Sequence, residues 1–183
     1  MTAAIALIEK TKTSPLGFCL IGVLSILALV ASARIQIPMV PVPVTLQTAV
    51  VLLMPCLLGT RLALAILSTY LAMGLIGLPV FAGPVAGPTY FFGPTGGYLV
   101  GFVAAAGMVG MIYESLKSWN FWTLSALMLV GHIVILLAGA TWLAFGVPAL
   151  GLAAAIASGV IPFTIGSVLK SAFVAASIKA MDK

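Results

Sequence analysis

The chain has 183 residues, of which 63% are hydrophobic and 6% charged, with a mean hydropathy of +1.30. That lies far from soluble domains, where about a quarter of residues carry charge, and the apolar runs predict one helical membrane bundle over residues 1–183 with no soluble domain. The net charge of +5 does not indicate nucleic acid, because the basic residues are scattered along apolar runs and form no stripe or patch.

Lys10 and Lys12 precede the first apolar run, 16–33, and Ala31-Ser32-Ala33 resembles a signal cleavage site. A run of 18 residues is longer than a secretory core of about 7–15, so it is read as a retained span. Gly22, Ser25, Ala28 and Ser32 recur along one side, a stripe of small residues that lets another helix come close. The stripe suits packing within the chain equally well. Arg34 to Val44 follows with prolines at 38, 41 and 43 and is expected to be extended, stiffened towards polyproline geometry.

The second span is 45–58, short for a bilayer and marked by Pro55. Thr45, Gln47 and Thr48 stand at its outer end, where they either meet a polar ligand or form an N-cap and a solvated first turn. Gly59-Thr60-Arg61 is a turn, and the third span is 62–78. In the segment 81–98, three Gly-Pro pairs exclude a continuous helix. The segment carries no charge and includes Phe81, Tyr90, Phe91 and Phe92. Non-helical backbone at membrane depth persists only where protein or a cavity covers it. The segment is therefore either the wall or lid of a pocket, or a plain outer turn.

The fourth span, 96–113, opens with Gly97-xxx-Gly101-xxx-Ala105, a ladder for close helix packing. The fifth, 121–145, contains His132, which has no ligand-type neighbour at metal-binding spacing and is read as a packed, neutral histidine. Residues 149–160 form a short outer segment and 162–180 the sixth span, unless the two are one kinked helix. Cys19 and Cys56 both fall within spans and give no disulfide framework.

Six spans place both termini on one side. Lys10, Lys12, Arg61, Lys117, Lys179 and Lys183 fall there, with Arg34 alone at the other end. That bias makes the termini cytoplasmic. The proline-rich loop, the Gly/Pro segment and the outer segment then converge on the outside, where a binding site would open.

Lys170 is the cation well inside a span, where a lysine costs roughly 2.5–3.5 kcal/mol on insertion scales. Glu9, Glu114 and Asp182 are all expected at the cytoplasmic side, so the counter-charge is expected to arrive with a ligand. The alternative is snorkelling, over the roughly 12 Å of helix that separates Lys170 from Pro162.

Gly-Leu-Pro-Val-Phe-Ala-Gly at 77–83, Gly-Pro-Thr-Gly-Gly-Tyr-Leu-Val-Gly-Phe at 93–102 and Ile-Pro-Met-Val-Pro-Val-Pro-Val-Thr-Leu-Gln-Thr at 37–48 carry a resemblance. Together they resemble the biotin transporter BioY family, the substrate-binding S components of energy-coupling-factor (ECF) transporters. The similarity runs from about Ile37 to Lys170. It implies an all-α, six-helix membrane protein of the S-component type in the bacterial inner membrane. Such a protein captures biotin outside for import driven by a T subunit and two ATPase subunits on other chains, with no resident cofactor.

By the same resemblance Lys170 receives the biotin carboxylate. Thr45, Gln47, Tyr90, Thr95 and Ser167 are candidates for the ureido ring, with Gly93 beside them, and Phe81, Phe91 and Phe92 for the thioether ring. Ser25, Ala28 and Ser32 are candidates for docking the T subunit, although Ala28-xxx-Ser32 replaces the usual alanine pair. The family commonly has Gly-Asp-x-x-Lys where this chain has Gly166-Ser167-Val168-Leu169-Lys170. Ser167 shares a helix face with Lys170 but offers no carboxylate to the ureido N–H groups. A small carboxylated vitamin other than biotin is the alternative ligand, and a solitary biotin facilitator the alternative machine.

Other classes find little support. The chain lacks a phosphate-binding loop with its lysine, a Gly-x-Ser-x-Gly elbow and a His-Glu-x-x-His pair. ATP hydrolysis is therefore not expected, nor an enzyme such as an acyl transferase or intramembrane protease, unless His132 and a distant Ser or Cys meet across helices. A ligand-free structural bundle leaves Lys170 unexplained.

Overall fold

A computed structural model describes residues 11, 14–116, 118–146 and 149–181. The first helix, α1 (Pro15–Arg34), starts where sequence chemistry favours it. Ser14 Oγ accepts the Gly17 N–H at 3.0 Å, and Pro15 fills the first helical position, where no backbone donor is needed. Leu29, Ser32 and Ala33 of α1 are buried, while Leu16, Leu20, Leu24 and Leu27 are exposed.

The stretch after α1 departs from polyproline geometry. It folds into a hairpin in which β1 (Gln36–Ile37) pairs antiparallel with β2 (Val44–Thr45), Gln36 opposite Thr45 and Ile37 opposite Val44. The Leu46 N–H donates to Ile35 O at 3.0 Å and extends the pairing. Pro38, Pro41 and Pro43 all lie in the connection, where a missing N–H breaks no ladder bond. The arms therefore satisfy each other's backbone groups, which local proline stiffness does not predict.

Helix α2 (Gln47–Leu58) leads through Gly59 alone into α3 (Thr60–Leu75). Gly59 has φ +83°, a conformation open to glycine and strained for other residues. At this end Glu114 Oε1 accepts the Thr60 N–H at 2.6 Å, placing a carboxylate on the donor end of α3. The Gly/Pro segment contains one short helix, α4 (Pro88–Phe91). Helices α5 (Gly96–Ser115) and α6 (Phe121–Phe145) form the most extensive helix pair of the bundle. A Cβ on Gly97 would lie 2.2 Å from Trp142 Cβ, and one on Gly101 2.9 Å from Ile135 Cα, so the two helices touch backbone to backbone through the glycine ladder.

The last apolar run is divided. A short helix α7 (Leu152–Gly159) and a 3₁₀ turn (Ile161–Phe163) precede α8 (Thr164–Met181). Among the described residues, four stretches are long and apolar enough to cross a membrane: α1, α5, α6 and Leu152–Met181. Helices α2 and α3 are apolar but shorter, with 12 and 16 residues. The expected third span, 62–78, ends earlier because Gly77 (φ +100°) turns the chain.

Arg61 follows Thr60 in the first turn of α3, at the end where Glu114 docks. Lys179 Nζ donates to Trp119 O at 3.1 Å in the last turn of α8. Arg34 lies elsewhere, donating to Gly83 O at 3.2 Å and to Pro79 O in the Gly/Pro segment. Lys10, Lys12, Lys117, Lys183, Glu9, Asp182 and residues 147–148 lie outside the described residues.

Candidate functional site

The start of α2, the Gly/Pro segment, the first turns of α5, the middle of α6 and the start of α8 enclose a chamber of about 40 Å³. Its polar lining comes from Thr45, Gln47 and Thr48, from Tyr90 and Thr95, and from His132 and Ser167. Its apolar wall is Tyr98, Leu99, Phe102, Ile135, Leu136 and Phe163. The Tyr98 and Phe163 rings stack with centroids 5.9 Å apart, and Tyr98 O–H donates to Gly159 O at 2.7 Å, which pins the α7 end to α5.

Lys170, on α8, does not itself line the chamber, but its ammonium meets two residues that do. Its side chain runs back over Gly166, where a Cβ would stand 3.8 Å from Lys170 Cε, towards the hairpin end of the bundle. There Nζ donates to Thr45 O at 3.0 Å and to Thr48 Oγ1 at 2.7 Å, both belonging to chamber-lining residues. Glu114, the one acid among the described residues, is engaged at Thr60. An ammonium has three donors, and two are used here. Ser167, 3% exposed, stands one turn before Lys170 on the same side and lines the chamber.

Gln47 is neither cap nor solvated residue. The N-cap of α2 is Leu46, and Gln47 is 3% exposed. Its Nε2 donates to Tyr70 Oη at 2.9 Å, and Tyr70 in turn donates to Val80 O at 2.8 Å. The amide is thereby oriented by α3 and by the edge of the Gly/Pro segment.

Outside the chamber lies a larger cavity of about 590 Å³ between the hairpin connection and the Gly/Pro segment. Gln36, Pro38 and Met39 face Gly83, Pro84, Val85 and Gly93 across it. The two cavities share Pro43, Tyr90 and Thr95, which form the neck between them. Thr95 O–H donates to Tyr90 O at 3.0 Å and fixes one side of that neck. Burial holds the Tyr90 phenol above its ordinary pKa, partly offset by Thr95 and by the Ala82 backbone, so it stands in the neck as a neutral O–H.

The three phenylalanines assigned by resemblance lie elsewhere. Phe81 is 1% exposed and stacks behind Tyr90 at 4.6 Å, edge-on to Tyr70 at 5.3 Å. Phe91 lines a separate groove with Leu99 and Val103, and Phe92 is 64% exposed. The broken backbone turns these rings outward or into the core, and Tyr98, Phe102 and Phe163 supply the aromatic wall instead. Sequence reasoning missed those three, and it left His132 as packing. Yet His132, 1% exposed, lines the chamber, with Nε2 3.2 Å from Thr48 Oγ1 and Nδ1 3.1 Å from Ser171 Oγ. An uncharged polar residue in an apolar helix, opposite a run of hydroxyls, was the available signal. Along α1, Ala28 is exposed and Ser25 half-buried, whereas Ser32 is buried and donates to Leu29 O at 2.9 Å. Among the described residues no three His, Cys, Asp or Glu side chains gather as metal ligands.

A family model described as the BioY family matches residues 7–183. The probable biotin transporter BioY of Rickettsia prowazekii is 31% identical over 148 residues, covering 81% of this chain and 74% of that protein. The biotin transporter BioY of Thermotoga maritima is 39% identical over 108 residues, 59% of this chain and 64% of the relative. The crystal structure of an S-component for biotin from an ECF-type ABC transporter matches with a TM-score of 0.81 and 26% identity, over 91% of each chain. A match along almost the whole sequence, on a bundle of apolar helices, makes this chain an integral membrane protein of the BioY family.

Proposed function

We propose that the chain is the biotin-capturing S component of an ECF importer in a bacterial inner membrane. It is a transport protein and not an enzyme, as its relatives are. In this reading six helices cross or enter the bilayer, α1, α2, α3, α5, α6 and α8, with both termini cytoplasmic. Arg61 and Lys179 then lie at the cytoplasmic end, and the hairpin and Gly/Pro segment open outside, as the positive-inside effect requires. A T subunit and two ATPase subunits would drive release, and no cofactor resides in the chain.

The observation that carries the reading is the Lys170 ammonium, held by two neutral oxygens of chamber-lining residues and facing no protein carboxylate among the described residues. A partly buried cation without a counter-charge is costly, and a ligand carboxylate supplies the missing charge. The chamber's roughly 40 Å³, against about 10–15 Å³ for one water, is too small for a bicyclic vitamin. The ligand therefore bridges both cavities, its carboxylate at Lys170 and its fused rings in the neck at Tyr90 and Thr95. Gln47 and Ser167 offer further polar contacts within the chamber. Ser167 in place of a carboxylate favours a ligand held mainly by its own acid group, which keeps a second small carboxylated vitamin as the alternative.

Titration of the purified, full-length protein with biotin tests this. Saturable binding near a nanomolar Kd, about −12 kcal/mol, displaced only weakly by other vitamin carboxylates, is the expected result. Absence of saturable biotin binding contradicts it, and tighter binding of another carboxylate selects the alternative.

A further inference from the structure

His132 occupies a position from which it governs Lys170 without touching it. Its Nδ1 lies 2.9 Å from Met128 O, one turn back on α6. A carbonyl only accepts, so Nδ1 carries a proton, and in the neutral imidazole Nε2 then presents a lone pair. Nε2 faces Thr48 Oγ1 at 3.2 Å. The Thr48 hydroxyl has a single proton, and donating it to Nε2 leaves its oxygen only as an acceptor on the other side. That side faces Lys170 Nζ at 2.7 Å. Ser171, the residue after Lys170 on α8, brings its Oγ within 3.1 Å of Nδ1 and shares that N–H, so both ring nitrogens are tied in place.

With the ring neutral, the direction of every bond in the series follows from the one carbonyl at Met128. We propose that His132 is a positioning residue of the ligand site. As a neutral imidazole it fixes the Thr48 hydroxyl as an acceptor, and so aims the Lys170 ammonium at the anionic end of a monocarboxylate. With the imidazole removed, the hydroxyl rotates freely and its proton can face the ammonium, which then keeps one firm tether, Thr45 O. The inference rests on the proposed carboxylate site at Lys170 and adds the device that orients it.

The test compares biotin with its uncharged amide, titrated against wild type, His132→Leu, His132→Gln, Thr48→Val and Thr48→Ser. Misaiming or removing a charge-assisted hydrogen bond changes affinity roughly 10-fold. His132→Leu and Thr48→Val are expected to weaken biotin by about that factor and leave the amide nearly unchanged, so that the acid-over-amide preference shrinks. His132→Gln, whose amide oxygen can replace Nε2 as an acceptor, and Thr48→Ser retain most of the preference. The double variant His132→Leu/Thr48→Val loses no more than either alone, because the two act through one hydrogen bond to the ammonium.

Equal weakening of acid and amide in both His132→Leu and Thr48→Val overturns the inference and leaves His132 a packing residue. An intact preference in Thr48→Val overturns it as well. A wild type that prefers biotin over the amide while these variants do so equally sinks the positioning role alone. A wild type that binds neither sinks the proposed function itself.

Discussion

Lys170 Nζ stands 2.7 Å from Thr48 Oγ1, although 122 positions separate the two residues. The hydrogen bond ties α8 to the first turn of α2 and holds the cation against a chamber-lining residue. Lys170→Met keeps most of the volume of the side chain and removes the charge. Biotin affinity should fall by tens to about a hundredfold, roughly 2–3 kcal/mol for a charge-assisted hydrogen bond, while the ligand-free protein still elutes as a single folded species. Titration and size-exclusion chromatography together check this.

Gly74 is fitted to Phe81. A Cβ there would lie 2.0 Å from the Phe81 ring, which in turn stacks on Tyr90 at 4.6 Å in the neck. Gly74→Ala should therefore destabilise the protein by about 1–3 kcal/mol through overpacking and weaken biotin binding as Tyr90 shifts. Thermal melts with and without biotin measure both effects.

Tyr70 joins two parts of the site. It accepts from Gln47 Nε2 and donates to Val80 O. Tyr70→Phe leaves both buried partners unmatched and should cost about 1–3 kcal/mol, with the Gln47 amide released into the chamber. Hydrogen exchange at the start of the Gly/Pro segment should quicken, since Val80 loses its anchor.

The glycine ladder sets how closely α5 and α6 approach. Gly97→Val places methyl groups where Trp142 Cβ already lies 2.2 Å from a Cβ position. A loss of about 3 kcal/mol or failure to fold is expected, because backbone on both sides cannot yield. Gly107→Ala, whose Cβ would meet Leu64 at 3.8 Å, should be nearly neutral in the same melt.

The long elements were legible in the sequence because each rests on local chemistry. The apolar runs 16–33 and 121–145 are too long for anything but spanning helices. In the structure Ser14 caps the first, while Asn120 Oδ1 accepts the Thr123 N–H at 2.8 Å at the start of the other. The Gly-Pro pairs marked 81–98 as broken backbone for an equally local reason. What escaped is made by distant partners. The pairing of Gln36 with Thr45 depends on two arms meeting, and the link from Lys170 through Thr48 to His132 crosses three helices. The placement of Phe81, Phe91 and Phe92 depends on which way a broken segment turns each ring, and composition carries no record of that. Lys170 was conspicuous because charge is so rare here, whereas His132 among apolar neighbours looked like packing.

Where a ligand acid meets this bundle is tested most directly by a structure of the biotin complex. The valerate carboxylate is expected within charge-assisted hydrogen-bond distance of Lys170 Nζ, about 2.7–2.9 Å, with the fused rings in the neck beside Tyr90 and Thr95. Biotin bound with its carboxylate in the outer cavity and Lys170 still held only by Thr45 and Thr48 would contradict the assignment.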